Sequence, residues 1–223
     1  MYNFNFLDKL KKDNAIILFH NETVDVEENI ISDIASALSV DLKVYYPERS
    51  IEESLVILQY PSIDSTDHTF NQFFDSPRCV SMMFSDFKGV FIIDCSKYIT
   101  INNPQFNKLL DYIKENADND FKFVVLVSSQ CKRQCSNIIK YKNILTTDLE
   151  ISLSQIESYK EHIDNESYSY LIEQYKNNPS FRQLSVLQIE NCIDNAECSK
   201  DDFVKAVTKT ISENDYTERR IGF

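Results

Sequence analysis

Glycine is so scarce in this chain that the backbone has few places to adopt a left-handed conformation. Of the 223 residues only two are glycine, Gly89 and Gly222. Since glycine reaches positive φ without a steric penalty, its scarcity disfavours long irregular loops and glycine-rich ligand-binding loops. Hydrophobic residues make up 43% of the chain, which is ample for a packed core in one large or two small domains of about 100–200 residues each. The sequence therefore predicts a packed fold with few irregular loops.

The charge of the chain is strongly negative. There are 23 basic and 35 acidic side chains, which gives a net charge of −12 at pH 7 and an isoelectric point near 4.7. Nucleic-acid binding draws on basic residues that neutralise phosphates, so we expect a protein partner and no nucleic acid. The one clearly basic stretch is interpreted as a solvated helix face and consists of Lys132, Arg133, Lys140 and Lys142.

The chain is expected to be cytoplasmic, without a membrane contact. Its first residues contain neither a basic n-region nor an apolar stretch of signal-peptide length, and no window approaches the roughly 18 apolar residues of a membrane span. The six cysteines are therefore predicted to be reduced, buried thiols. Cys131 and Cys135 lack the spacing of a typical zinc knuckle, so we expect no metal. No cofactor is expected either.

Short apolar runs alternate with segments of helical periodicity over the first two thirds of the chain. Helical spacing predicts one helix around residues 28–38 and another at about 104–116, and the polar region 52–74 is interpreted as short helices. Buried strands that alternate with amphipathic helices are typical of a parallel sheet covered on both faces. The predicted class is α/β, a five-stranded parallel sheet flanked by helices, with strands at 15–19, 42–46, 89–94, 121–127 and 143–147.

The periodicity changes near residue 150. From there on the apolar residues recur at helical spacing and no strand is predicted. Ser199 is followed by Asp201 and Asp202, and a hydroxyl N-cap before acidic first-turn residues favours the start of a helix. We predict two domains, an α/β core over residues 1–149 and a small all-helical module over residues 150–223.

A carboxylate-rich segment separates the first predicted strand from the helix that follows it, and it consists of His20, Asn21, Glu22, Thr23, Val24, Asp25, Val26 and Glu27. With this segment and the order of its strands and helices, the chain resembles the AAA+ ATPase module over almost its whole length. In that family the segment between the first strand and its helix is the Walker A phosphate loop. It contains glycines, a lysine that reaches the phosphates and a hydroxyl that binds Mg²⁺. The resemblance implies a degenerate loop, in which His20 and Asp25 replace the glycines. Val26 replaces the lysine and Glu27 replaces the hydroxyl.

Further positions carry the same resemblance. The third predicted strand is similar to the Walker B motif, because it ends in Asp94, which would support Mg²⁺, but Cys95 replaces the glutamate that activates water. The fourth predicted strand ends in Ser128 and Ser129, where the family places an Asn or Thr that orients water, and the resemblance implies that one of these serines is a weak substitute for it. Arg182 is predicted to open a helix of the C-terminal helical module, which corresponds to the lid of the AAA+ family. It is similar to the lid arginine that contacts the γ-phosphate. The resemblance implies that no catalytic residue remains.

Three hypotheses follow for the function. The first is a catalytically inactive AAA+-like protein, a pseudo-ATPase, that acts as a protein-interaction or assembly subunit, with other AAA+-type subunits as candidate partners. The second is a subunit that binds nucleotide through Asp94 and Arg182 without hydrolysing it. The third is a small-ligand binder or enzyme on a related parallel α/β sheet, such as a flavodoxin-like domain, that uses Asp94 and Cys95.

Overall fold

The described part of the chain is an α/β structure with a parallel sheet flanked by helices. This class agrees with the prediction. A computed structural model describes residues 2–10, 13, 15–21, 27–45, 55–59, 89–95, 110, 111, 113, 121–132, 144–195 and 199–220. The strands are β1 Tyr2–Asn3, β2 Ala15–His20, β3 Leu55–Gln59, β4 Gly89–Asp94, β5 Phe121–Ser128, β6 Ile144–Asp148 and β7 Glu150–Ile151.

Five of these strands form one sheet in the order β3-β4-β5-β2-β6, and every pairing in it is parallel. Numbered by their order along the chain, the sheet strands run 2-3-4-1-5. A flavodoxin-like sheet runs 2-1-3-4-5 and a dinucleotide-binding sheet begins 3-2-1-4-5. The flavodoxin-like arrangement considered from the sequence is therefore wrong for this chain.

One of the five predicted strands is also wrong. The run at 42–46 is not a strand, because helix α2, Glu27–Tyr45, continues through it as far as Tyr45. No glycine or proline occurs in α2, so nothing in its sequence stops the helix before Pro47. A short apolar run has no periodicity that separates strand from helix. The sheet strand is instead β3, inside the region interpreted as short helices, most of which lies outside the described residues.

Both faces of the sheet are buried. Ile16, Leu18 and Val124 point into a large hydrophobic cluster that also includes residues of the C-terminal helices. Successive side chains of a strand point to opposite faces, so Phe91 and Phe123 belong to the other face, where their rings stack with centroids 5.4 Å apart. Burial on both faces explains why these strands read as continuous apolar runs rather than as alternating patterns.

The described C-terminal part consists of helices joined by short turns, but its first two residues, Glu150 and Ile151, form β7. The prediction of an all-helical module is therefore wrong at that point. The predicted N-cap is confirmed, because the Ser199 hydroxyl accepts a hydrogen bond from the backbone N–H of Asp202 at 3.2 Å. The helices are α3 Leu153–Ser158, α4 Asn165–Asn177, α5 Pro179–Arg182, α6 Val186–Asn195 and α7 Lys200–Arg220.

The N-terminal segment is held at two places. Strand β1 pairs with β7 in an antiparallel ribbon, which crosses the predicted boundary at residue 150; that boundary stays a prediction. At the end of helix α1, Phe6–Leu10, and just beyond it, the carbonyls of Leu10 and Asp13 accept hydrogen bonds from the Lys122 ammonium on β5. Burial lowers the pKa of Lys122, and the Asp13 carboxylate partly offsets this effect. None of the helices in the described ranges is long and apolar enough to cross a membrane.

The helix predicted at about 104–116 is described at three positions. Leu110, Asp111 and Ile113 are helical, and Leu110 and Ile113 are buried while Asp111 is exposed. The two buried residues are three positions apart and so lie on the same side of the helix. The remaining residues of this predicted helix lie outside the described ranges.

Candidate functional site at the carboxyl edge of the sheet

The parallel strands bring several of the predicted site residues to one edge of the sheet. Strand β2 ends at His20, β4 at Asp94 and β5 at Ser128, and β5 lies between the other two. In register, His20 is paired with Ser128. Ligands of open α/β sheets bind outside the carboxyl ends of the strands. This edge is therefore the candidate functional site.

His20 is buried at this edge, with only 2% of its surface exposed. Burial lowers its pKa from 6.5 to about 4, and the negative charge of Asp94 acts in the opposite direction. Burial has the larger effect because a charged imidazole would lose its hydration there. His20 is consequently uncharged at neutral pH.

Asp94 and Cys95 are as inaccessible as His20. Their exposed fractions are 4% and 3%. The backbone N–H of Cys95 donates to the carbonyl of Leu126 at 2.8 Å, so the chain remains attached to β5 just beyond the end of β4. A nucleophilic thiol needs an accessible, electropositive environment, which a buried Cys95 beside an aspartate does not have.

Ser128 and Ser129 lie where β5 gives way to a 3₁₀ turn, Ser129–Cys131. The Ser128 hydroxyl caps this turn by accepting a hydrogen bond from the backbone N–H of Gln130 at 3.4 Å. Ser129 is buried, and burial raises the pKa of the Cys131 thiol to about 11. The two serines thus have local structural contacts at this edge.

Arg182 is not at the start of a helix, as the sequence predicts, but at the end of the short helix α5. Its Nε lies 3.3 Å from a carboxylate oxygen of Glu150, and its Nη1 donates to the carbonyl of Tyr175 at 3.1 Å. Both side chains of the ion pair are half-buried, with 24% of Arg182 and 31% of Glu150 exposed. The guanidinium is therefore neutralised by the chain itself.

The residue after Arg182 forms a polar network that sequence reasoning missed. The backbone carbonyl of Gln183 accepts a hydrogen bond from Nδ2 of Asn21 at 2.8 Å. Its side-chain Nε2 donates to Oδ2 of Asp148 at 3.1 Å, and Oδ1 of Asp148 lies 2.6 Å from Nζ of Lys132. Lys132 is thus ion-paired and not simply part of a solvated helix face. Asp148 ends β6, so the rule that functional polar residues follow parallel strands would have nominated it.

The rest of the predicted loop lies mostly outside the described residues. This holds for residues 22–26, while Glu27 is the first residue of α2. The other members of the basic stretch, Arg133, Lys140 and Lys142, also lie outside the described ranges. Among residues with described structure, no group of three or more His, Cys, Asp or Glu could hold a metal ion. The described cysteines are buried thiols that form no disulfide, namely Cys95, Cys131 and Cys192.

Comparison with known proteins gives structural similarities only. No family model matches the sequence, and no curated protein matches it. The structure of Drosophila ORC bound to poly(dA/dT) DNA and Cdc6 matches 85% of this chain and 36% of that chain, with 9% sequence identity and a TM-score of 0.43. The structure of C. elegans PCH-2 matches 93% of this chain and 64% of that chain, with 14% identity and a TM-score of 0.36. The function proposed below is derived from the site itself.

Proposed function

We propose that this chain is a catalytically inactive AAA+-like module, a pseudo-ATPase, that serves as a protein-interaction or assembly subunit. The observation that carries the proposal is the buried His20 at the end of β2. In the resemblance to AAA+ ATPases, this is the position of the first glycine of the phosphate loop. An imidazole with 2% exposure and a neighbouring aspartate occupies the place where backbone N–H groups would approach a phosphate.

The strand order supports the AAA+-like part of the proposal. The three motifs of the resemblance require the ends of the first, third and fourth sheet strands to lie side by side. In the order 2-3-4-1-5, strand β5 has β2 on one side and β4 on the other, so His20, Ser128 and Asp94 share one edge. A flavodoxin-like order also keeps these three strands together, but it places the third strand, rather than the fourth, beside the first.

The contacts of Arg182 support the loss of nucleotide chemistry. A lid arginine that binds a γ-phosphate has to offer its guanidinium to an anionic ligand. Here the guanidinium of Arg182 is already matched by the Glu150 carboxylate and by the Tyr175 carbonyl. To bind Arg182, a nucleotide would have to displace Glu150 from a half-buried ion pair. The free energy of that charge-assisted contact would be lost and would have to be recovered from the new one. This disfavours the second hypothesis, a subunit that binds nucleotide without hydrolysis.

Burial disfavours the third hypothesis, an enzyme or small-ligand binder that uses Asp94 and Cys95. Both residues are less than 5% exposed, at 4% and 3%. A substrate could reach neither side chain without opening the end of strand β4. The first hypothesis is the one that remains, in which the fold is retained because its surface binds a partner. The function then depends on that partner rather than on turnover.

Calorimetry with nucleotide tests the proposal. We expect Mg-ATP and Mg-ADP to bind more weakly than about 1 mM, because glycine, lysine and Mg²⁺-binding hydroxyl are all replaced. Any residual ATPase activity in a preparation should be unchanged in Asp94→Ala, which marks it as contamination. Micromolar binding of Mg-ATP that is lost in Arg182→Ala and kept in the surface variant Lys209→Ala would establish the non-hydrolysing alternative instead.

The partner part of the proposal has its own test. A chain with a net charge of −12 should bind a basic or mixed-charge protein, and the association should weaken as salt screens the charges. We expect light scattering or pull-down experiments with candidate AAA+-type subunits to detect a complex at low salt and less of it at high salt. A strict monomer that retains no partner at low salt, and that binds a small metabolite tightly, would contradict this prediction.

A further inference from the structure

The helical C-terminal part is joined to the sheet by hydrogen bonds that converge on a single residue. Gln183 follows α5 and is bonded to the sheet edge by both its main chain and its side chain. We propose that Asn21, Lys132, Asp148 and Gln183, called the lid clamp below, fix the helical part on the sheet without any ligand. The inference deepens the proposed function, since it explains how the two parts keep one arrangement without nucleotide.

Each member of the lid clamp on the sheet side follows or ends a different strand. Asn21 follows β2, Lys132 follows β5 and its 3₁₀ turn, and Asp148 ends β6. These three strands are adjacent in the order β5-β2-β6, so their carboxyl ends form a continuous edge. Gln183 therefore contacts that edge at two of its three strands and is linked through Asp148 to the third.

The charges of the clamp are matched inside the chain. The two oxygens of Asp148 are divided between the Lys132 ammonium at 2.6 Å and the Gln183 amide at 3.1 Å. The exposed fractions of the two ionised side chains are 34% for Lys132 and 22% for Asp148. A hydrogen bond to an ionised, half-buried partner is stronger than one between neutral groups. Asp148 thus supplies, at the carboxyl edge of the sheet, an anion to which the helical part can bind.

A second set of contacts holds the segment that carries Gln183. Arg182 is paired with Glu150 at 3.3 Å and donates to the Tyr175 carbonyl at 3.1 Å, which joins α5 to β7 and to α4. Leu184 on the other side of Gln183 is buried in the hydrophobic cluster. With both neighbours fixed, Gln183 has little freedom to leave the sheet edge. The clamp therefore positions the helical part through a preorganised residue.

Hydrogen exchange measured by mass spectrometry tests the lid clamp. In Gln183→Ala and in Asp148→Asn, we expect the backbone amides of residues 178–190 to exchange about tenfold faster than in the unmodified protein, because a charge-assisted contact that opposes local opening is lost. The amides of strand β5 should keep their rates, since the sheet stays folded. Lys209→Ala, which breaks the exposed ion pair with Glu213 at 3.7 Å on α7, is the matched control and should leave residues 178–190 unchanged.

A double-variant cycle makes the test specific. Asn21 binds the main chain of Gln183 and Asp148 binds its side chain, so the effects of Asn21→Ala and Asp148→Asn on exchange of residues 178–190 should be non-additive. The inference is overturned if Gln183→Ala and Asp148→Asn exchange like Lys209→Ala. It is supported if both variants accelerate exchange of residues 178–190 while the amides of strand β5 in Gln183→Ala exchange at the rates of the unmodified protein.

Addition of Mg-ATP separates the clamp from the proposed function. If about 1 mM Mg-ATP changes no exchange rate in the unmodified protein, and the clamp variants accelerate exchange, both proposals stand. If Mg-ATP slows the exchange of residues 178–190 in the unmodified protein, the pseudo-ATPase proposal fails. In that case the exchange rates of the clamp variants alone decide whether the lid clamp is correct.

Discussion

Acidification from pH 6.5 to about 4 is expected to lower the free energy of unfolding by about 3 kcal/mol through His20 alone. The folded protein holds the pKa of this histidine at about 4, whereas the unfolded chain has the ordinary value of 6.5. Between these values the unfolded chain binds a proton that the folded chain does not bind. The stabilising contribution is therefore fully present above pH 6.5 and is lost as the pH falls towards 4.

The measurement is a series of urea unfolding curves over this pH range. The free energy of unfolding should change less steeply with pH in His20→Gln than in the unmodified protein. The difference in slope should be up to about 1.4 kcal/mol per pH unit, which corresponds to the uptake of one proton on unfolding. His162 is exposed and bonds only locally to the Ser158 carbonyl at 3.2 Å, so His162→Gln is the matched control and should keep the steep slope. Equal slopes in the unmodified protein and His20→Gln would show that His20 is not buried as described.

Replacement of Phe123 by alanine is expected to lower the free energy of unfolding by about 3–5 kcal/mol. Phe123 is completely buried in β5 and stacks on Phe91 at a centroid distance of 5.4 Å. Truncation removes buried apolar surface and leaves a cavity that the neighbouring strands cannot close, because both are fixed in the sheet. Since small proteins are stable by only about 5–15 kcal/mol, this single change removes a large part of the total.

Urea unfolding should show this loss as a lower midpoint with an unchanged dependence on denaturant. Leu153→Ala is the matched control, because 40% of Leu153 is already exposed and its truncation removes less buried apolar surface than that of Phe123. We expect the control to lose less than about 1 kcal/mol. A Phe123→Ala protein as stable as the control would be incompatible with a sheet that is covered on this face.

The two stability predictions and the lid clamp address different parts of the molecule. Phe123 tests the sheet that supports the site, and His20 tests the polar group buried at its end. Gln183 tests the attachment of the helical part. If His20 and Phe123 behave as expected and the clamp variants do not, the sheet and its edge are correctly described and the helical part is held by its hydrophobic contacts alone.

The strands with the strongest local patterns could be predicted from the sequence. Residues 15–19, 89–94 and 121–127 are short runs rich in apolar residues, and each of them falls in a strand of the sheet. The weaker pattern at 143–147 also coincides with a strand, which begins at Ile144. The run at 42–46 has the same appearance, but its residues up to Tyr45 are the end of helix α2. The difference is physical: a helix continues residue by residue until something stops it, whereas a strand needs a neighbour that is distant in sequence.

The sequence by itself determined the α/β class, the helical character of most of the C-terminal part and the Ser199 cap. All of these depend on residue types and on spacings of a few positions. Only the tertiary structure decided the strand order, the burial of His20 beside Asp94 and the pairing of Arg182 with Glu150. The contact between Asn21 and Gln183 joins residues 162 positions apart. Local periodicity contains no information about such a pair, because its formation depends on how the sheet and the helices pack together.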